Sequence, residues 1–336
     1  MTRLLLVELT RLRWRRAVVL LVLVAVVIPM VVLAVRAWDT RAVSDAERAE
    51  VRAQIERDFG VPDEVIAECL ARPRQYFGPR AERFTPERLQ RECSRTVGFR
   101  PTVSDYVGRE PLTLRNELTT SGFGVVAVLV VAMLLAGTTF VGHDWSSGSM
   151  SNQLLFEPRR LRVWAAKAVA VGLLSALVAT VVLTVYWGAL GLIASARDVP
   201  QVDGITGEVV ESVVWSVLLV TGAAVGGYAL TMLSRSTVFT VGVLFGVSIV
   251  SGVLLAALPD GAVRWNPGTN AFAVVNDGAV YYVEPPPSCF VEQDFESDEC
   301  RGEREVTRTQ GGLYLGGVLL LAGAWSASSY RRRDVP

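Results

Sequence analysis

The sequence contains a single lysine, Lys167, and a single histidine, His143, among 336 residues. A P-loop, the phosphate-binding motif of many ATPases, needs a lysine after a glycine-rich turn and before serine or threonine. Lys167 stands in WAAKA, which has neither feature. An isolated histidine also cannot form the metal set or the serine–histidine pair of an intramembrane protease. We therefore expect no enzyme activity, no metal site and no bound cofactor in this chain, and any ATP-driven work would use ATP and Mg²⁺ held by a separate ATPase.

Charged residues and histidine are also absent from six long runs rich in Val, Leu, Ala and Gly. A membrane-crossing helix needs roughly 20 apolar residues, so the runs predict an all-α polytopic membrane protein with six transmembrane helices. Because these runs hold no charge, they offer no ion or proton pathway. The predicted spans are TM1 at 17–35, TM2 at 118–142, TM3 at 168–196, TM4 at 212–234, TM5 at 236–259 and TM6 at 309–330.

The first run has an alternative interpretation as a signal peptide, with the arginines of 11–16 as its charged region. Its 19 charge-free residues are longer than the usual apolar region, and Val35-Arg36-Ala37 is a poor cleavage site. A membrane anchor is the favoured interpretation. Segment 1–16 then predicts either an interfacial helix or a charged flank that fixes the topology.

Arginine placement predicts that both termini are cytoplasmic. With that orientation, segments 1–16, 143–167 and 331–336 and the link at Arg235 carry thirteen basic and four acidic residues. All four cysteines fall in the two long outer loops, which favours an oxidising compartment there. Four cysteines allow three pairings, and the simplest pairing is local to each loop: Cys69 with Cys93, and Cys289 with Cys300.

The first outer loop, 36–117, predicts a small helical domain. Ser44 and Glu47 form a capping box, Pro62 marks a second helix start, and Thr85 caps a third helix that begins at Pro86. The second outer loop, 260–308, predicts a hairpin with its turn at Asn276-Asp277-Gly278, followed by an acidic loop closed by a disulfide.

The longest cytoplasmic segment, 143–167, joins the second and third predicted spans. Met150, Leu154 and Leu155 are spaced to form one apolar helical face, and Pro158 ends that helix. Arg159 and Arg160 follow it at the membrane surface. Such a helix suits docking to a cytosolic partner, and the alternative is a loop that only fixes topology.

This segment resembles the cytoplasmic loop of type 2 ATP-binding-cassette (ABC) exporter permeases. The matching positions are Asp144, Gly148, Ser149, Leu154, Leu155, Pro158, Arg159, Arg160 and Lys167. Asp144 replaces the usual Glu and Ser149 the usual Thr, while Leu161 stands where a further basic residue is expected. The six spans and the start VELTRLRWRR are also similar to that family.

The resemblance implies a coupling helix within 144–158 that docks on a P-loop ATPase subunit, with Asp144 capping its start. It also implies a second permease, identical or homologous, and export of a substrate. The uncharged spans favour an amphipathic or hydrophobic substrate, and the lysine-poor, arginine-rich composition favours a bacterium, so we expect the chain in a bacterial plasma membrane. Two other hypotheses remain open. The chain could be a sensor or immunity protein that binds a ligand through its outer domains, or a polytopic membrane enzyme.

Overall fold

The computed structural model describes residues 2–59, 63–97, 103–107, 109–258, 260–285, 289, 300 and 302–332. Helices dominate these residues. The first half contains α1 Thr2–Trp14, α2 Arg16–Asp39, α3 Asp45–Phe59, α4 Asp63–Ala71, α5 Pro73–Phe77, α6 Pro86–Val97, α7 Val103–Val107 and α8 Leu114–Glu117. The second half contains α9 Phe123–Ser146, α10 Ser149–Phe156, α11 Arg160–Ala196, α12 Ile205–Ser234, α13 Thr237–Ala257, α14 Pro267–Asn276 and α15 Arg308–Arg332.

Five helical segments in the described residues are long and apolar enough to cross a membrane. The chain is therefore an all-α, multi-pass membrane protein. A sixth predicted span, 236–259, corresponds to α13, whose described apolar stretch, Thr237–Val253, is shorter. The five segments are Arg16–Asp39, Leu114–Ser146, Arg160–Ala196, Ile205–Ser234 and Arg308–Arg332.

The helices extend past the charge-free runs from which they were predicted. Helix α11 begins eight residues before the run at 168–196, and α12 begins seven residues before the run at 212–234. The backbone hydrogen bonds of a helix do not depend on side-chain polarity, so charged residues continue a helix where the apolar run stops. This extension places Lys167, Glu208 and Glu211 on helices rather than in loops.

Helix α12 packs closely against α9 through two glycines. A side chain at Gly137 would collide with the carbonyl oxygen of Ala224, and one at Gly227 would lie 2.5 Å from the carbonyl oxygen of Leu134. Small residues at such crossings let two helix backbones approach in a membrane. The fully buried Tyr228 lies beside this contact and donates to the Trp164 carbonyl at 2.8 Å, which joins α12 to α11.

Residues 35–112 form a separate compact unit that contains α3 to α7. The backbone N–H of Glu47 donates to Ser44 Oγ at 3.2 Å, and that of Arg88 donates to Thr85 Oγ1 at 3.3 Å. Both helix starts predicted from these caps are therefore present. A disulfide between Cys69 and Cys93 joins α4 to α6. The predicted helix start at Pro62 lies outside the described residues.

The predicted hairpin around Asn276-Asp277-Gly278 is wrong. Residues 267–276 form α14, in which Asn266 caps the start and accepts from the N–H of Gly268 at 2.8 Å. Asp277 has φ 62° and ends this helix in the left-handed conformation. Asn, Asp and Gly tolerate that conformation in a helix C-cap as well as in a hairpin turn, so the three-residue signal fits both structures.

Strand β1, Ala279–Tyr282, pairs instead with β2, Glu303–Val306, in antiparallel register. Cys289 and Cys300 form the second disulfide within the segment that joins these strands. Most of the predicted acidic loop between the two cysteines lies outside the described residues, as do residues 333–336 of the predicted C-terminal tail.

Candidate functional site

The loop between α9 and α11 folds as a helix of eight residues, α10, between two turns. Gly148 has φ 69°, in the left-handed region that favours glycine, and reverses the chain after α9. Helix α10 ends at Phe156, and Glu157 is extended, as expected for a residue before proline. Pro158 therefore ends the helix as predicted, and α11 begins two residues later at Arg160.

The predicted capping role of Asp144 is wrong. The N-cap position of α10 is Gly148, and no side chain accepts a hydrogen bond there. Asp144 lies in the last two turns of α9 and is fully buried. Because the turn at Gly148 reverses the chain, the Asp144 carboxylate lies beneath α10 and accepts from Ser149 Oγ at 2.8 Å.

Lys167, the only lysine of the chain, lies between two carboxylates in the protein interior. Its Nζ is 2.8 Å from Glu8 Oε2 and 2.5 Å from Asp144 Oδ2, and all three side chains are fully buried. Glu8 comes from α1, Asp144 from α9 and Lys167 from α11. Three helices that are distant in sequence therefore meet at one ammonium group.

Arg15, at the junction of α1 and α2, adds a second cation. Its guanidinium pairs with Asp144 Oδ1 and donates to the Phe140 carbonyl at 3.0 Å. The Phe140 ring is fully buried, and both Arg15 and Lys167 lie 5.2 Å from its centroid. The ring face supplies cation–π attraction to both groups.

Arg11 and Gln153 connect this cluster to α10. Gln153 Nε2 donates to Glu8 Oε1 at 2.5 Å. Arg11 donates to Ser149 Oγ at 3.2 Å and to Gln153 Oε1 at 3.4 Å. Helix α10 is therefore hydrogen-bonded to α1 at two positions, one turn apart. We call these seven residues the charge cluster: Glu8, Arg11, Arg15, Asp144, Ser149, Gln153 and Lys167.

The side chains of the charge cluster hold one fixed arrangement, because each buried charge is neutralised by the others. Removing one partner from a buried ion pair costs about 3–5 kcal/mol, since the other charge stays buried and uncompensated. The two carboxylates and three cations are linked in a network, so a shift of one helix stretches several contacts at once. The cluster can thus transmit displacement of α10 to α1, α9 and α11.

The apolar face predicted for α10 is divided between two sides of the helix. Met150 is 1% exposed, and its sulfur accepts from the Tyr330 hydroxyl of α15 at 3.4 Å. Leu155 is 80% and Phe156 90% exposed, while Leu154 is half-buried. Positions 150 and 155 lie about 140° apart around a helix, so a single face cannot include both. The prediction of one face with Met150, Leu154 and Leu155 is wrong.

The remaining predicted residues of the loop lie at its surface. Gly148, Pro158 and Arg159 are exposed, and Arg160 is half-buried at the start of α11. None of the four belongs to the charge cluster. Arg235, in the link between α12 and α13, lies with its guanidinium 4.7 Å from the Trp145 ring centroid, which places that link beside the end of α9.

Glu8, Arg11 and Arg15 are functional candidates that the sequence pattern does not single out. The pattern of segment 1–16 predicts only an interfacial helix or a charged flank, whereas the structure buries Glu8 and Leu12 within it. One signal was present, because Glu8 is the only acidic residue among five arginines in that segment. Glu8 in its basic segment and Lys167 beside a predicted span carry opposite charges and can therefore pair.

Among the described residues, no group of three or more His, Cys, Asp or Glu side chains could hold a metal ion. The arrangement at the charge cluster is suited to mechanical connection, since Glu8, Asp144 and Lys167 are paired with one another and fully buried. No protein-family model, curated protein or solved structure matches this chain.

Proposed function

We propose that this chain is the membrane subunit of an ATP-driven exporter, similar to type 2 ABC permeases, and that a separate P-loop ATPase docks on α10. One observation carries the proposal. Helix α10 exposes Leu155 and Phe156 at its C-terminal end, while Ser149 and Gln153 of the charge cluster and the Met150 contact hold the preceding residues of the helix. An exposed apolar tip on a firmly attached short helix is suited to a groove in a partner.

The contacts of α10 supply the coupling route in this proposal. A displacement of α10 acts on α1 through Ser149 and Gln153, both within 3.4 Å of Arg11. It acts on α9 and α11 through Asp144, whose carboxylate contacts Lys167 at 2.5 Å. Closure of the ATPase would tilt these helices together, and reopening would return them.

The proposal includes six spans, with α13 as the fifth, and both termini in the cytoplasm of a bacterial cell. A second permease, identical or homologous, completes the path, while ATP and Mg²⁺ bind to the ATPase. The substrate is amphipathic or hydrophobic, since the predicted spans contain no charged side chain that could line a path for a charged cargo.

The coupling role is tested by purifying the tagged full chain from the cells that make it and measuring ATP hydrolysis in the eluate. We expect ATPase activity to co-purify with the natural chain and to be lost in the double variant L155D/F156D. The matched control is V202D/V280D, which places two aspartates at exposed apolar positions at the other end of the helices. The control is expected to retain the ATPase.

Full retention of the ATPase by L155D/F156D would contradict docking through α10. Absence of any co-purifying ATPase, together with tight ligand binding by the full chain, would favour the alternative sensor or immunity function.

The membrane orientation is tested separately by labelling. All four cysteines are in disulfides, so an introduced cysteine is the only free thiol. L155C is expected to react with a membrane-impermeant maleimide only after the cells are opened, and V202C is expected to react in intact cells. Labelling of L155C in intact cells would exclude a cytosolic partner at this site.

A further inference from the structure

At the opposite end of the helices from α10, a cleft of about 360 Å³ lies between α8, α12, α14 and α15. We call it the α14 cleft, after the helix whose C-terminal residues contribute to its lining. Five charged side chains line it, and a sixth lining residue, Asn276, ends α14. These residues are Arg115, Glu208, Glu211, Asn276, Asp277 and Arg308.

The charges of the α14 cleft alternate in sign. Arg115 of α8 pairs with Glu208 of α12 at 2.5 Å. Arg308 of α15 pairs with Glu211 and lies 3.2 Å from Asp277 Oδ1. Glu208 and Glu211 lie one turn apart on α12, so the two arginines flank the two carboxylates. The cleft thus presents two guanidinium groups and three carboxylates. Each of the three acidic side chains is at least 44% exposed.

Asn276 adds an independent observation. Both its amide nitrogen and its amide oxygen are buried, and neither has a hydrogen-bond partner among the described residues. Leaving a buried amide unpaired is costly, so such groups in native proteins normally pair with protein, water or ligand. The Asn276 amide can both donate and accept a hydrogen bond to a group in the cleft.

The position of the cleft along the helices indicates which part of a membrane would surround it. The charge-free runs at 118–142, 212–234 and 309–330 all begin at residues adjacent to the cleft. The cleft is therefore at the boundary between the apolar spans and their polar ends. In a membrane this boundary lies in the polar headgroup region of the bilayer, so lipid headgroups are the most abundant polar groups beside the cleft.

We propose that the α14 cleft binds the headgroup of an aminophospholipid, with its ammonium group at the carboxylates of Glu208 and Glu211 and its phosphate at Arg115 and Arg308. A primary ammonium has three N–H donors for these carboxylates, whereas a choline group has none. Asn276 donates to a phosphate oxygen or accepts from the ammonium. This site goes beyond the exporter proposal and does not depend on an ATPase.

The test uses the delipidated full chain in detergent and native mass spectrometry. The protein is offered an equimolar mixture of phosphatidylethanolamine, phosphatidylcholine and phosphatidylglycerol with identical acyl chains. We expect phosphatidylethanolamine to be retained about tenfold over each of the others, which corresponds to about 1.4 kcal/mol. Retention of all three lipids in equal amounts would overturn the proposal.

Two variants locate the binding. E208Q/E211Q removes the carboxylates, and N276L removes an amide that makes no hydrogen bond among the described residues, so N276L loses no hydrogen bond there. Both are expected to abolish the preference for the ethanolamine lipid. The matched control, E50Q/E56Q, alters two exposed carboxylates of α3 and is expected to leave the preference unchanged. A preference that persists in both cleft variants would place the lipid elsewhere and overturn the proposal.

A last arm separates the lipid from a soluble source of the same headgroup. Glycerophosphoethanolamine is added to the lipid-loaded protein at the same concentration as the lipid. Continued retention of the lipid supports a lipid ligand, and complete displacement at equal concentration would overturn it in favour of a soluble phosphoethanolamine.

Discussion

Ion pairs connect neighbouring helices at both ends of the long helices, but they are buried at the α10 end and exposed at the α14 end. At the α10 end, Lys167 is fully buried between Glu8 and Asp144. At the α14 end, both partners in the pair of Arg115 and Glu208 are at least 44% exposed. A buried pair is costly to break and geometrically fixed, whereas an exposed pair contributes roughly 0–1 kcal/mol and exchanges readily with water.

The comparison indicates a division of roles. The α10 end is suited to transmit force, since displacement of one helix there acts on three others through buried contacts. The α14 end can open and admit a polar group, since its ion pairs can be replaced by contacts to a ligand at little cost. These two properties lie at opposite ends of α12, since its C-terminal half packs on α9 and α11 and its first turns line the α14 cleft.

The largest effect is expected from Lys167→Met. This substitution leaves Glu8 and Asp144 buried without their shared cation, and we expect the free energy of unfolding to fall by about 3–5 kcal/mol. Reversible unfolding in mixed detergent–SDS micelles measures the change. The triple variant K167M/E8Q/D144N, which removes the carboxylate charges as well, is expected to recover part of the loss. A single K167M variant as stable as the natural chain would remove the basis for a rigid α10 end.

A smaller effect is expected between the two ends, at the crossing of α9 and α12. The substitution Gly137→Ala would drive a methyl group into the Ala224 carbonyl, and overpacking of this kind costs about 1–3 kcal/mol. The matched control is Gly124→Ala on the same helix, where an added Cβ meets no atom within 4 Å. The same unfolding assay should separate the two variants, and equal stability would show that the helices part readily at this crossing.

The five long apolar helices and the helix caps at Ser44 and Thr85 were predictable because each depends on a local rule. A backbone in lipid must satisfy its own hydrogen bonds, so a long charge-free run indicates a helix, and Ser44 and Thr85 cap helices through residues only three positions away. The Asn276-Asp277-Gly278 signal failed because its residues favour one backbone conformation that occurs in both turns and helix ends. Only the pairing of strands far apart in sequence distinguishes the two.

The charge cluster was less predictable, because its central contact joins residues 159 positions apart. The loop motif drew attention to Asp144, Ser149 and Lys167, yet it carried no information on their partner in α1. Segment 1–16 has no clean apolar stripe, so its pattern did not indicate which side would be buried. Glu8 points into the protein because it pairs with Lys167 of a distant helix, and the local sequence of segment 1–16 does not indicate that orientation.

The smallest effect is expected from Arg115→Gln at the α14 end. Its pair with Glu208 is exposed to solvent, so the substitution should change the free energy of unfolding by roughly 0–1 kcal/mol. Salt sharpens the contrast, because exposed charges are screened over about 8 Å at physiological ionic strength while buried ones are screened much less. We expect the stability difference between R115Q and the natural chain to vanish in high salt, and the K167M difference to persist. If both stability differences instead disappeared in high salt, the charge cluster would be open to solvent. The two ends would then not differ in solvent exposure, and force transmission could not be assigned to one end and ligand access to the other.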